Sequence, residues 1–107
     1  MTEKNTQILM LQAMDRILDL CRDSQSKDFA VSVSKEIESI QYLRDRVAEQ
    51  WPLSRDIKSD IFIGPYAARN LDDWAPQLAH LIMTLDYALK HNGQGIDELL
   101  KEISSAR

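Results

Sequence analysis

Three glycines and three prolines are all that interrupt this 107-residue chain. These are the two residues least compatible with a helix interior. A chain this poor in them, and rich in Leu, Ile, Ala, Glu, Asp and Arg, has few options beyond helices joined by short connectors. The expectation is an all-α fold: a small bundle of four to six helices. Two of the breaks, Gly64-Pro65 and Ala75-Pro76, fall in one stretch, residues 60–78. Proline sits comfortably in a first helical turn, where its missing N–H has no partner to lose. Each break therefore starts a helix, and Asp72-Asp73-Trp74 lies between them. This stretch governs how the two halves of the molecule meet.

Apolar periodicity supplies the rest. Met10, Leu11, Met14, Ile17, Leu18 and Cys21 form one stripe and predict a first helix over 6–23. The two methionines are read as core filler. Asp23-Ser24-Gln25-Ser26 is read as the connector. A second helix over about 26–49 carries Phe29, Val33, Ile37, Ile40, Leu43 and Val47, close to a heptad seam. The pair forms a long helical hairpin. Pro52 ends the second helix, and Trp51 closes the core there. Ser54 is the cap of a short helix through Phe62, with Leu53, Ile57 and Ile61 on one face. After Gly64, Ala67, Ala68 and Leu71 offer a small apolar side for close helix approach. Leu78, Leu81, Ile82, Leu85 and Leu89 mark a last long helix, stopped by His91-Asn92-Gly93 with Gly93 left-handed. Residues 94–107 are a tail helix that docks through Ile96, Leu99, Leu100 and Ile103. The whole, residues 1–107, is expected to be a single domain.

The net charge is −4. A nucleic-acid binder needs a basic surplus to displace phosphate counterions, so that class is excluded, and a basic protein partner suits the surface. The single Cys21 has no disulfide partner, and the N-terminus reads as neither leader nor membrane span. A cytoplasmic, membrane-free protein is expected. No metal or cofactor motif occurs. His80 and His91 lack paired-ligand spacing. His80, beside Leu78 and Leu81, is read as a partly buried structural histidine, and Cys21 as an inert buried thiol. An enzyme is not expected.

Two pieces point further. They are Gln41-Tyr42-Leu43-Arg44, and Gly64, Ala67, Leu71-Asp72 and Pro76-Gln77-Leu78 taken in order. Over residues 33–89 the chain resembles the small all-α immunity proteins that protect Pseudomonas from a type VI secretion NAD(P)+ glycohydrolase effector. Where that family has an acidic residue before the proline, this chain has Ala75, so a helix cap would have to come from Asp72 or Asp73. The resemblance implies a stoichiometric inhibitor that binds a cognate toxin domain and blocks its active site or substrate entry. Partner contacts are then expected at Asp60, Tyr66, Arg69, Asp72, Asp73 and Trp74. Tyr66 and Trp74 would be aromatic anchors, and Asp72 and Asp73 would pair with a cationic cleft. For Trp74 burial under the last helix, and for Asp72-Asp73 capping, stay open beside these roles. Tyr42 and Arg44 are left between motif, internal packing and salt bridge. A second reading, of another class, is a helical adaptor that forms a homodimer through the second helix.

Overall fold

A computed structural model of the chain describes residues 3–27, 33–73 and 75–105. Six helices follow in order: α1 (Glu3–Lys27), α2 (Ser34–Glu49), α3 (Arg55–Ser59), α4 (Ile63–Leu71), α5 (Pro76–Lys90) and α6 (Ile96–Ser105). No strand occurs among the described residues, and the fold is all-α as expected.

α1 and α2 form the hairpin. Met10, Ala13, Met14, Ile17, Leu18 and Cys21 are buried on α1, and Ile40, Leu43 and Val47 on α2. Both methionines are fully enclosed, as core filler should be. Two polar contacts fix the register. Arg44 Nε donates to Asp15 Oδ1 at 2.8 Å, which makes Arg44 a salt-bridging residue of the hairpin. Gln7 Nε2 donates to the Val47 carbonyl at 2.7 Å. That carbonyl lies in the last turn of α2, where no later amide of the helix can reach it.

The expected connector was misplaced. α1 continues through residues 24–27, and α2 begins at Ser34 rather than at 26 or 27. Ser24, Gln25 and Ser26 are polar, but none is a breaker, and their helix cost is only tenths of a kcal/mol each. Phe29 lies outside the described residues. The seam of α2 also shifts by one residue. Val33, Glu36, Ile40, Leu43 and Val47 are buried, whereas Ile37 is half-buried. The spacing 3-4-3-4 is that of a strict heptad seam, and it puts a glutamate inside.

Beyond the Trp51–Pro52 peptide, which is cis, Ser54 Oγ accepts the Ile57 N–H at 3.3 Å and caps α3. Trp51 packs half-buried against the core. Leu53 and Ile61 are buried and Ile57 half-buried, the face read from spacing. α3 is shorter than expected: it ends at Ser59, and Phe62, with φ −141°, precedes a separate α4. Lys58 Nζ donates to Asn92 Oδ1 at 2.5 Å, tying α3 to the end of α5.

α4 is laid directly on α5. Ala67 and Leu71 are fully buried, and Ala68 is half-buried. At its start Phe62 provides no side-chain cap. The acceptor comes instead from α5: Asp86 Oδ2 takes the Gly64 N–H at 2.9 Å. Asp86 is 6% exposed, and its other oxygen pairs with Lys90 Nζ at 2.9 Å. A Cβ on Gly64 would stand 3.0 Å from Asp86 Cβ, so glycine permits the close approach.

α5 begins with Pro76 in its first turn, and Ala75 gives it no side-chain cap. Neither Asp72 nor Asp73 takes that role. At its other end Gly93 N–H reaches the Ala88 carbonyl at 2.7 Å, closing a Schellman turn. The first left-handed residue of that turn is Asn92 (φ 57°), followed by Gly93 (φ 91°). A side chain on Gly93 would strike the Thr6 methyl on α1. α6 then packs on α1 and α5 through buried Ile96, Leu99 and Ile103, with Leu100 half-buried.

Asp86→Ala leaves the Gly64 amide buried without an acceptor and is expected to cost about 1–3 kcal/mol. Gly64→Ala overpacks the same contact, at about 1–3 kcal/mol. Asp86→Asn keeps an acceptor and loses only the Lys90 pair, so it should fall between Asp86→Ala and wild type. Urea unfolding at neutral pH gives the order. An Asp86→Ala variant as stable as wild type would show that α4 is held by its apolar face alone.

Candidate functional site

The six candidate partner residues do not form one cluster. Asp60, at the C-cap of α3, and Tyr66, on α4, line a common groove of about 470 Å³. Arg69 lies one turn beyond Tyr66 on α4, exposed, and Asp72 and Asp73 follow at its end, also exposed. From Tyr66 to Asp72 the helix rises about 9 Å. Among the described residues, neither Asp72 nor Asp73 makes a side-chain hydrogen bond or ion pair, and α5 has no side-chain cap. Trp74 lies outside the described residues.

The groove runs between α2, α3 and the start of α4. Tyr42 and Leu43 contribute from α2, Ile57 and Ile61 from α3 and its exit, Phe62 from the residue before α4, and Ile63 and Tyr66 from α4. Tyr42 and Phe62 are 55% and 62% exposed. Two large aromatics left in water beside an apolar trough make this groove the candidate contact surface. Tyr42 therefore does not pack internally. Arg46 instead lies over its ring, with Cζ 5.2 Å from the centroid, within cation–π range.

At the inner edge of this groove is Glu36, 3% exposed. It stands in the first turn of α2, whose N-cap, Val33, offers no side chain to the free amides. Burial raises its pKa above the ordinary 4.5, while its own backbone N–H and the Lys35 charge pull it back. Among the described residues no lysine, arginine or histidine forms an ion pair with it. Cys21, across from it on α1, feels the same environment. Burial, and then the Glu36 charge, pushes its thiol up to about 12, with Arg22 opposing. It is the inert buried thiol expected.

Glu36, Tyr42 and Phe62 were not among the residues assigned to the site from sequence. Signals for them were present. Glu36 occupies a seam position of the strict heptad. Tyr42 and Phe62 are aromatics that fall off the apolar stripes around them.

The histidines offer little chemistry. His80 is exposed, not partly buried, because residue 80 faces outward between stripe positions 78 and 81. Its Nε2 lies 2.9 Å from Glu102 Oε2 on α6, a structural contact between α5 and α6. His91 stacks on Tyr87 with ring centroids 4.1 Å apart. Among the described residues, no three His, Cys, Asp or Glu side chains gather as a metal site, and no helix is long and apolar enough to cross a membrane.

A raised carboxyl pKa has a definite linkage sign. The folded chain binds the Glu36 proton more tightly than the unfolded chain. Stability from this group is full below pH 4.5 and is lost as pH rises through its higher folded value. Glu36→Gln keeps an acceptor for the backbone amide and removes that loss. Its unfolding midpoint should exceed wild type at pH 7, with the gap narrowing toward pH 4. Equal midpoints at both would show that the groove solvates this carboxylate fully.

No curated protein and no solved structure matches the chain. A family model, Tsi6, matches residues 9–91, from the first turns of α1 to the turn that ends α5. α6 lies outside the matched residues. With well over half its length matched, the chain belongs to the Tsi6 family of type VI secretion immunity proteins.

Proposed function

We propose that this protein binds and neutralises a cognate secreted toxin, an NAD(P)+-consuming type VI effector domain, by covering its active site or substrate entry. The observation that carries this reading is the immunity-family match over residues 9–91. The protein would act in the cytoplasm of the cell that makes it.

Inhibition by coverage needs no chemistry from this chain. Cys21 is buried, with its thiol pushed up to about 12, and is no nucleophile. What coverage needs is a surface. A toxin that holds NAD(P)+ must present cationic or donor groups to the pyrophosphate, and an inhibitor of net charge −4 complements it. Asp72 and Asp73 are exposed and free of a capping role, which supports their use against such a rim. Tyr66, Phe62 and Tyr42 supply aromatic area of the kind that dominates interface energies. The adaptor reading has less to work with. Ile40, Leu43 and Val47 on the α2 seam are buried within the hairpin, so a second copy cannot use that seam.

Co-expression with the toxin encoded by the adjacent gene should restore growth, and a purified one-to-one complex should lose NAD(P)+ hydrolysis. Asp72→Lys with Asp73→Lys should leave the unfolding midpoint near wild type. It should slow association roughly tenfold at low salt, with less effect at high salt. Failure of the wild-type proteins to associate at micromolar concentration would refute the reading.

A further inference from the structure

We propose that the groove between α2, α3 and α4 receives an arginine side chain of the toxin, its guanidinium paired with Glu36 and its stem against Tyr42, Phe62 and Tyr66. This deepens the immunity reading and rests on it.

The charge balance selects a cation. Glu36, Glu38 and Asp60 line the groove against Lys35 alone. Such a lining repels a phosphate-bearing ligand, so the groove is no site for the toxin's own dinucleotide substrate. The depth selects a side chain. Glu36 is 3% exposed and faces the groove without an ion pair among the described residues. A carboxylate buried in this way, with no side-chain donor bonded to it among the described residues, gains most from a partner that arrives with a charge and several N–H groups.

The walls select arginine over lysine. A guanidinium is flat, weakly hydrated and stacks on aromatic faces, whereas an ammonium is compact and strongly hydrated. Tyr42 already accepts one guanidinium in this chain, from Arg46 with Cζ at 5.2 Å. The apolar side chains of Ile57 and Ile61 continue the groove and suit the methylene stem. A volume of about 470 Å³ accommodates a side chain and its neighbours rather than a folded element.

The test measures binding of the toxin domain from the adjacent gene by calorimetry. Glu36→Gln should weaken binding at least about thirtyfold, since a desolvated charge pair loses one member. Phe62→Ala should weaken it roughly tenfold. Glu36→Gln folds at least as stably as wild type on the argument above, so its loss of binding would not be a loss of fold. Arginine-to-alanine variants of the toxin are then crossed with Glu36→Gln. One arginine should be non-additive with it, costing affinity against wild type and little against the variant. Wild-type affinity in Glu36→Gln, or additivity for every arginine, overturns the groove assignment while leaving immunity intact. A wild-type dimer that Phe62→Ala dissolves, with toxin affinity unchanged, reassigns the groove to self-association. Failure of the wild type to bind the toxin domain removes both readings at once.

Discussion

The bond from Gly64 to Asp86 is the contact on which the placement of the candidate surface depends. α4 starts without a cap of its own, so the Gly64 amide in its first turn would be buried unsatisfied. α5 supplies the acceptor, 22 residues later in the chain, at 2.9 Å. The glycine that makes room for the carboxylate also donates the proton. Lys90 holds the other oxygen and offsets the charge that burial would otherwise penalise. With α4 fixed at this end, Phe62 stays outward beside it and Tyr66 stands one turn further along. The groove wall is therefore set by a polar contact in the core, not by the aromatics themselves.

A second constraint comes from α2. Its seam is used against α1, and Arg44 and Gln7 hold the register. Slipping α2 by one residue would bring Ile37 fully in and move Glu36 outward. The observed register does the opposite and keeps a carboxylate at the groove edge. A buried acid of this kind gives little to stability, and its raised pKa marks it as a cost of folding at neutral pH. Such a residue is easier to understand as part of a contact surface than as part of a core.

Much of this architecture was legible in the sequence. The stripe of Met10, Met14, Ile17, Leu18 and Cys21, the Ser54 cap, the Pro76 start and the stop at residues 91–93 follow from local chemistry that tertiary contacts did not overrule. The α1–α2 connector was misplaced because polarity was read as a break, when Ser24, Gln25 and Ser26 carry no steric bar to helix. Asp86 was invisible for a different reason. An aspartate between Leu85 and Leu89 looks like the edge of a stripe, and only the fold reveals that it caps another helix. Of the candidate groove's lining, only part was legible. Asp60 and Tyr66, which line it, flank a visible break in the sequence. Glu36, 24 residues before Asp60 in the chain, shares no local pattern with them; the packing of α2 brings it to the same groove.

The two acidic surfaces at the ends of α4 differ in kind, and under the proposed toxin binding they would divide its work. Asp72 and Asp73 are exposed, so a partner gains little by pairing with them beyond faster encounter. Glu36 has already lost most of its water in the free protein. The desolvation cost that usually cancels a buried ion pair is, on this side, met during folding. A cation entering the groove has to lose only its own hydration, and a guanidinium loses less than an ammonium. One end of α4 is thus suited to steering a basic partner and the other to holding it, with the Asp86 contact keeping the two in fixed relation.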